Sequence, residues 1–547
     1  MKKIFFNIKN EKYFFFILIV YFSIGLSVYK DYGISWDEIN ERFSGFVSLN
    51  EIYKIFGFEP LTGPSVALPN GDILKTEYPA LSDYIYKEYG VLFNLPLAFL
   101  ENFLEIKDIK EVFLLRHFVN FLIFFISTIF FYYTLRDFYS KIISTIGFLF
   151  LILSPRIFAE SFYNNKDIIF LSLYLIAFYF ALKFFTQKQN KFLMLFSFFI
   201  SLSINIRVLG LLSVALLILF LFLEGLNSKK LMKKNTLDIT KCLLLTSLFT
   251  YLMWPFLWGN PLDSLIYTFK SMSSYNWKGL VFFLGDYHEG KNIPWNYTMI
   301  LFIITTPLLI IFLFFVGMSF CAKDLIINFI SLDKHENSNL WLNNFQILNI
   351  LAFFNIVIIL SYIILFNSTL YSGWRHTYFL YPSVIILSLY AIKIIQNYVN
   401  IKIILFFVIF SITTSLFWII NNHPFQYVYY NSLVKNKIKK NFELDYWGVS
   451  NLHTLNYIID NYNRDKYFIF AYSNSPYHYS INMIDSEIRN KIKFVKEIKN
   501  AEFILSNHYY LNQQPVKKDK YLFDNFEMIY EINVNNVSIN SIFIKKL

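Results

Sequence analysis

Gly33-Ile34-Ser35-Trp36-Asp37-Glu38 follows directly on the first hydrophobic segment, Tyr13 to Tyr29. Two adjacent carboxylates therefore emerge where an apolar helix leaves the bilayer, at the start of a long polar loop. A carboxylate in that place costs little if it is only solvated. It gains meaning because ionisable groups recur at similar depth later in the chain: Arg116, Lys166, Asp167, Arg207, Arg375 and His376. Ionisable groups close to a bilayer usually line a pathway or a site rather than face lipid.

Composition sets the class. The 547 residues are 56% hydrophobic and 21% aromatic, and only 16% are charged. Soluble domains carry more charge and less apolar surface, so the chain reads as a polytopic membrane protein. The net charge of +11 does not point to nucleic acid, because the lysines sit mostly in short connections between apolar segments, where they set orientation. The two cysteines, Cys242 and Cys321, have no paired or metal-like spacing. The basic start Met1-Lys2-Lys3 leads into the first apolar run. Lys30-Asp31-Tyr32 is a poor cleavage site, so the run reads as a retained helix.

An apolar helix of about 20 residues crosses the hydrocarbon core. About eleven such segments are present, near 13–30, 112–135, 142–155, 166–185, 191–206, 207–224, 241–258, 297–320, 345–366, 377–396 and 401–420. The fold class is an all-α polytopic membrane domain over 1–420, followed by a small domain over 421–547. With the N-terminus inside, the inside connections hold Arg136 and Lys141, then Lys183, Lys188 and Lys191, then a lysine group from Lys229 to Lys241. Lys323, Lys334, Lys393 and Lys402 follow on the same side. Loops 31–111 and 259–296 are mixed or acidic and fall outside, as does everything after residue 420.

Loop 31–111 is too long for a connector. Pro60, Pro64, Pro69 and Pro79 break it, and Tyr89 to Leu104 reads as a helix lying at the interface. After segment eleven, His423 to Asn431 leads into Asp445-Tyr446-Trp447-Gly448. A helix is expected over Ser450 to Tyr462. Strands are expected at Tyr467–Tyr472, Lys493–Val495 and Phe503–Leu505, with a hairpin over Met528–Ile544 turning at Asn535-Asn536. This is a small α/β pattern. No phosphate-binding glycine loop, serine elbow or metal-ligand cluster is evident.

The outer-face groups form a candidate site. Of Asp37 and Glu38, one faces a given pocket and the other pairs with a cation such as Arg116. Arg375 and His376 are suited to an anion, with arginine offering a bidentate fork to phosphate, and Lys166 adds charge beside it. Asp167 has a plain structural account, since a carboxylate is favoured in the first turn of a helix. For Arg116 and Arg207 the structural account is an arginine snorkelling to the interface.

In their order, these features resemble the GT-C class of membrane glycosyltransferases, in the branch of family 39 with protein O-mannosyltransferases and lipid A aminoarabinose transferase. The resemblance rests on Trp36-Asp37-Glu38, Arg116, Ser154-Pro155 through Lys166-Asp167, Pro294-Trp295 with Thr306-Pro307, and Arg375-His376. His423 to Asn431 with Asp445-Tyr446-Trp447-Gly448 resembles a bacterial subgroup with a C-terminal extracytoplasmic domain. The resemblance implies an enzyme of the bacterial inner membrane that transfers a sugar from a polyprenyl-phosphate donor to an envelope glycan, lipid or protein on the periplasmic face, with inversion. Asp37 is then the general base, with Glu38 and Asp167 as further catalytic candidates. Arg375, His376, Lys166 and Arg116 would bind the donor phosphate. No cofactor is expected; a divalent ion shared by Asp37, Glu38 and Asp167 is chemically allowed but not required. The rival class is a transporter or flippase of lipid-linked sugars, which would more often show related halves.

Overall fold

A computed structural model of the chain describes residues 11–546 apart from 68–72, 274, 276, 278, 331–339, 435–436, 473–476 and 509–523. Met1-Lys2-Lys3, Pro69 and Lys334, used in the sequence reading, lie outside the described residues. Each of the eleven apolar segments is helical. In chain order the helices are α1 (Lys12–Val28), α4 (Ile109–Arg136), α5 (Lys141–Ile152) with α6 (Pro155–Tyr163), α7 (Asp167–Gln187), α8 (Asn190–Ile204) and α9 (Leu211–Gly225). They continue with α10 (Lys229–Met253), α12 (Tyr297–Thr305) with α13 (Leu308–Ile330), α14 (Asn344–Leu365), α15 (Tyr381–Ile395) and α16 (Ile401–Asn421). Among the described residues, eight helices are long and apolar enough to cross a bilayer, and the bent α5–α6 pair makes a ninth; α1 and α8 are shorter, at 17 and 15 residues. The chain is a multi-pass membrane protein.

Local sequence explains several helix starts. The Asp108 carboxylate accepts the Lys110 backbone N–H at 3.1 Å ahead of α4, and the Asn400 side chain accepts that of Lys402 at 3.0 Å ahead of α16, supplying partners to otherwise orphaned donors. Two apolar segments are broken where proline removes a donor. Segment three was expected to end near 155. Instead Pro155 opens α6, which departs from α5 at 62° and is buried along its whole length. Pro307 likewise separates α12 from α13.

Loop 31–111 forms a cap of its own, with α2 (Glu38–Ile55) packed on α3 (Asn94–Phe103) and a hairpin of β1 (Thr62–Ala67) and β2 (Ile73–Glu77) between them. Its small core joins Phe46, Val47 and Leu49 to Tyr78, Leu81 and Tyr84. Arg42 on α2 grips Glu101 on α3, and the Arg42 Nε contacts are 3.1 and 3.2 Å. Loop 259–296 adds α11 (Pro261–Ser273) and a hairpin of β3 (Leu280–Phe283) and β4 (Asp286–Glu289).

Beyond α16 the chain returns to the bundle. Tyr427, Tyr430, Phe442, Tyr446 and Trp447 join the main hydrophobic core, and α17 (Ile438–Asn441) is a single turn. Then α18 (Asn451–Asn461) covers a five-stranded sheet ordered β6-β5-β7-β9-β8. Its strands are β5 (Tyr467–Ala471), β6 (Ile492–Phe494), β7 (Phe503–Ser506), β8 (Phe526–Val534) and β9 (Val537–Lys545); β5 is parallel to β6 and β7, and β9 is antiparallel to β7 and β8. Asn535 and Asn536 turn the last hairpin at φ +53° and +60°, the left-handed pair a tight two-residue hairpin needs. The domain docks on the N-terminal end of α4 through Phe113 and Leu114 and through the pairs Lys110–Asp485 and Arg489–Asp108.

Two expectations follow. A side chain at Gly317 on α13 would place its Cβ 1.9 Å from the Leu387 carbonyl oxygen of α15, whereas Gly259 faces open space. Small residues let membrane helices approach this closely. Gly317→Val is expected to destabilise the protein by about 1–3 kcal/mol, lowering its thermal midpoint in detergent, and Gly259→Ala to leave that midpoint unchanged.

His508 lies after β7, where burial, reinforced by Lys439, pushes its pKa down from 6.5 to about 4. Between those values the unfolded chain holds a proton that the folded domain does not. Stability is therefore complete above pH 6.5 and falls as the pH drops toward 4. Hydrogen exchange of β7 and β9 amides in the full-length protein should quicken over that window. The effect should weaken in His508→Asn, a residue that tolerates the φ of +57° found there.

Candidate active site

The helix junctions meet at one end of the bundle around a cavity of about 330 Å³. The turn after α1 delivers Trp36 and Asp37, the α6–α7 junction Lys166, the α8–α9 junction Arg207, and the segment ahead of α15 Tyr371, Arg375 and His376. Aromatic side chains supply much of the remaining wall, among them Tyr86, Tyr89, Tyr275, Trp277, Tyr446 and Trp447.

Adjacent Asp37 and Glu38 point apart. Glu38 is buried; its carboxylate accepts the Ser35 backbone N–H at 2.6 Å and bonds His117 Nε2 at 2.9 Å. It pins the turn to α4. Asp37 lines the cavity with its side chain 30% accessible, and Arg375 Nη1 donates to it at 2.8 Å. The same nitrogen donates to Asp167 at 3.3 Å, and Arg207 donates to the other Asp167 oxygen. An alternating row results: Asp37, Arg375, Asp167, Arg207. The Asn164 side chain seats Asp167, accepting its backbone N–H at 2.8 Å and donating to its carboxylate at 3.2 Å.

The expected partner of the carboxylate pair was Arg116. Arg116 instead donates to Asn94 at 3.0 Å and lies 3.7 Å from Glu101, inside the joint between α4 and α3. It neither touches Asp37 or Glu38 nor lines the cavity. The reason is that α3, unplaced by charge arguments, brings its own carboxylate to α4. Arg116 still reaches the site indirectly. Asn94 donates to Glu41 at 2.9 Å, and Glu41 accepts from Lys166 at 2.8 Å. Lys166 also lies over the Tyr89 ring, 3.5 Å from its centroid.

Of the seven residues singled out in the sequence, Asp37, Lys166, Arg375 and His376 line the cavity, and Glu38, Asp167 and Arg116 stand behind it. Two charged lining residues were passed over. Arg207 was read as an interfacial anchor; its signal was its place in a short break between two apolar segments. Glu41 gave no signal, since one more acidic residue in a long polar loop is unremarkable. Arg375 Nε, Arg207 Nε and His376 Nδ1 are buried without a hydrogen-bond partner among the described residues. The two guanidinium N–H donors left unmatched at a cationic wall suit an anionic ligand. Among the described residues no three His, Cys, Asp or Glu side chains are placed to hold a metal ion. Arg375 occupies the space between Asp37 and Asp167, and Glu38 faces His117.

Asp167 holds two guanidinium groups in a buried setting. Removing one partner of a buried charge pair typically costs about 3–5 kcal/mol. Asp167→Ala is therefore expected to lower the folded fraction recovered in detergent sharply, read by size exclusion and thermal midpoint, whereas Asp167→Asn keeps the shape and loses less.

Residues 99–254, from α3 through α10, match the family model described as dolichyl-phosphate-mannose-protein mannosyltransferase. A comparison with curated proteins gave no match. Two solved structures share the general outline at low similarity. One is ArnT from Cupriavidus metallidurans bound to undecaprenyl phosphate, with 9% identity, a TM-score of 0.43, and coverage of 96% of this chain and 97% of that one. The other is the apo oligosaccharyltransferase of Archaeoglobus fulgidus, with 9% identity, a TM-score of 0.41, and coverage of 94% and 79%. Neither likeness is close enough to transfer a residue role. The family-model match, over a stretch that includes α4 and the α6–α7 junction, supports a membrane glycosyltransferase of GT-C type.

Proposed function

We propose that the protein transfers a sugar from a polyprenyl-phosphate donor to an envelope acceptor, with inversion, in the cavity at the end of the bundle where α1 leaves and α4 begins. The observation that carries this reading is the meeting, on one wall of the cavity, of a half-exposed carboxylate and the cations Arg375, Arg207 and Lys166. The description of the matched family, dolichyl-phosphate-mannose-protein mannosyltransferase, names a donor of the same chemical kind.

The acceptor hydroxyl attacks the anomeric carbon. A new carbon–oxygen bond forms as the bond to the phosphate oxygen breaks. The electron pair leaves with the lipid phosphate, and the hydroxyl proton passes to Asp37. Charge grows on the departing phosphate, where Arg375 and Arg207 are held ready. Asp167 fixes both, and its burial keeps the two guanidiniums from reorganising as the reaction proceeds. Lys166 completes the cationic side, and His376 lines the wall beside Arg375. Arginine and lysine suffice for a monophosphate leaving group, so no metal is required in this scheme.

The positive-inside distribution supports a cytoplasmic N-terminus. Lys141, Lys188, Lys229 and Lys393 lie at or near helix ends away from the cavity-forming junctions. The cavity and the C-terminal domain are then extracytoplasmic, in the inner membrane of a bacterium. Lipids surround the bundle, and the acceptor is a glycan, lipid or protein of the envelope.

Purified protein in lipid nanodiscs, given a panel of radiolabelled polyprenyl-phosphate sugars, should transfer one of them. Asp37→Asn should lose more than about a hundredfold in rate with folding intact, Arg375→Ala should be similarly impaired, and EDTA should have no effect. A fully active Asp37→Asn would remove Asp37 as the base. Donor movement across proteoliposome membranes without turnover would replace the enzyme with a flippase.

A further inference from the structure

Asp445-Tyr446-Trp447-Gly448 lies beyond the last membrane helix, yet its Tyr446 and Trp447 line the cavity. The turn is strongly built. The buried Asp445 carboxylate accepts from Tyr427 at 2.6 Å, from the Gly448 backbone at 2.9 Å and from Ser450. Gly448 sits at φ +71°, which other residues adopt only under strain. This turn fixes where Trp447 points.

Trp447 touches Arg375 and the turn that carries Asp37. Its backbone carbonyl accepts the N–H of Trp36, the residue before Asp37, at 3.2 Å. Its ring lies 4.6 Å from the Arg375 guanidinium carbon, with Tyr371 at 5.0 Å. Tyr163 meets the Trp447 ring edge-on at 77° and limits its tilt. The Asp37 turn packs tightly here too: a Cβ on Gly33 would come within 2.7 Å of the Val449 carbonyl oxygen. Two aromatic rings leave a guanidinium free to bond chiefly through its edge, and that edge meets Asp37 and Asp167.

We propose that Trp447 is a positioning residue of the active site, holding Arg375 by its ring and the Asp37 turn by its carbonyl. The inference rests on the reading of Arg375 as the group that meets the leaving phosphate. It makes the chain beyond the last membrane helix part of the catalytic machinery.

The test is a double-mutant cycle on the full chain. Trp447→Leu and Trp447→Phe are made in the wild type, and Trp447→Leu is also made with Arg375→Lys. Two quantities are read: kcat/KM for transfer, and the dissociation constant for undecaprenyl phosphate as a probe of the leaving group. Size exclusion reports the folded fraction. Trp447→Leu should cost roughly tenfold or more in the wild type, and Trp447→Phe should recover most of that loss. With Arg375→Lys, which lacks the planar face, the same Leu substitution should cost less than about threefold. A residue needed only for folding would lose as much in both backgrounds.

Trp447→Leu matching the wild type, Trp447→Phe as poor as Trp447→Leu, or an undiminished loss with Arg375→Lys would each overturn the inference. If Arg375→Lys does not fold, the contrast between Leu and Phe decides. A wild type that neither transfers nor binds undecaprenyl phosphate would overturn the donor reading, and this inference with it; the other outcomes require a wild type that does at least one of these.

Discussion

The structure depends on how two arginines are kept charged beside a membrane. Arg375 is almost wholly buried and Arg207 largely so. An isolated charge in such a setting carries a large desolvation cost. Asp167 offsets it by offering one oxygen to each guanidinium, and Asp37 adds a second carboxylate to Arg375. Two negative and two positive groups alternate, so the row is neutral. Each member stands at a helix junction. The ends of α1, α6, α8 and α14 must therefore be brought to one place before any of them is stable there.

That constraint explains the surrounding architecture. The α5–α6 bend drives a short buried helix into the bundle, and Asn164 at its end aims Asp167. The Glu38–His117 bond pins the Asp37 turn to α4. A relay of Arg116, Asn94, Glu41 and Lys166 ties the cap of α2 and α3 to the cavity floor. These contacts are individually ordinary. Together they leave Asp37 the most accessible member of the row, at 30% against 19% for Arg207, as a proposed base requires.

Legibility in the sequence followed the range of the interaction. Apolar runs and the asparagine turn at 535–536 depend on neighbours along the chain, and each could be read directly; the helix breaks at Pro155 and Pro307 were not, since 142–155 and 297–320 each read as one segment. The α/β pattern after residue 450 was visible for the same reason: strand periodicity is local. Arg116 shows the opposite case. Its position at the start of an apolar helix was plain, but its partner Glu101 belongs to a helix whose docking no periodicity specifies. Trp447 was noticed only within a short motif, and nothing in that motif says which arginine its ring would cover.

The sequence by itself determined a multi-pass helical membrane protein, a long loop after the first helix and a small C-terminal sheet, because hydropathy and side-chain period act over a few residues. It also marked Asp37, Lys166, Arg375 and His376 as charges at helix ends. Only the tertiary structure decided which of two adjacent carboxylates faces the cavity, that Arg116 pairs with Glu101 rather than with either of them, that Arg207 joins Asp167, and that the chain beyond the last membrane helix closes the site. Those outcomes rest on pairings between groups hundreds of residues apart, 338 in the case of Asp37 and Arg375. Such pairings are chosen by packing and by the cost of leaving a buried charge alone, and neither is written in any local stretch of the chain.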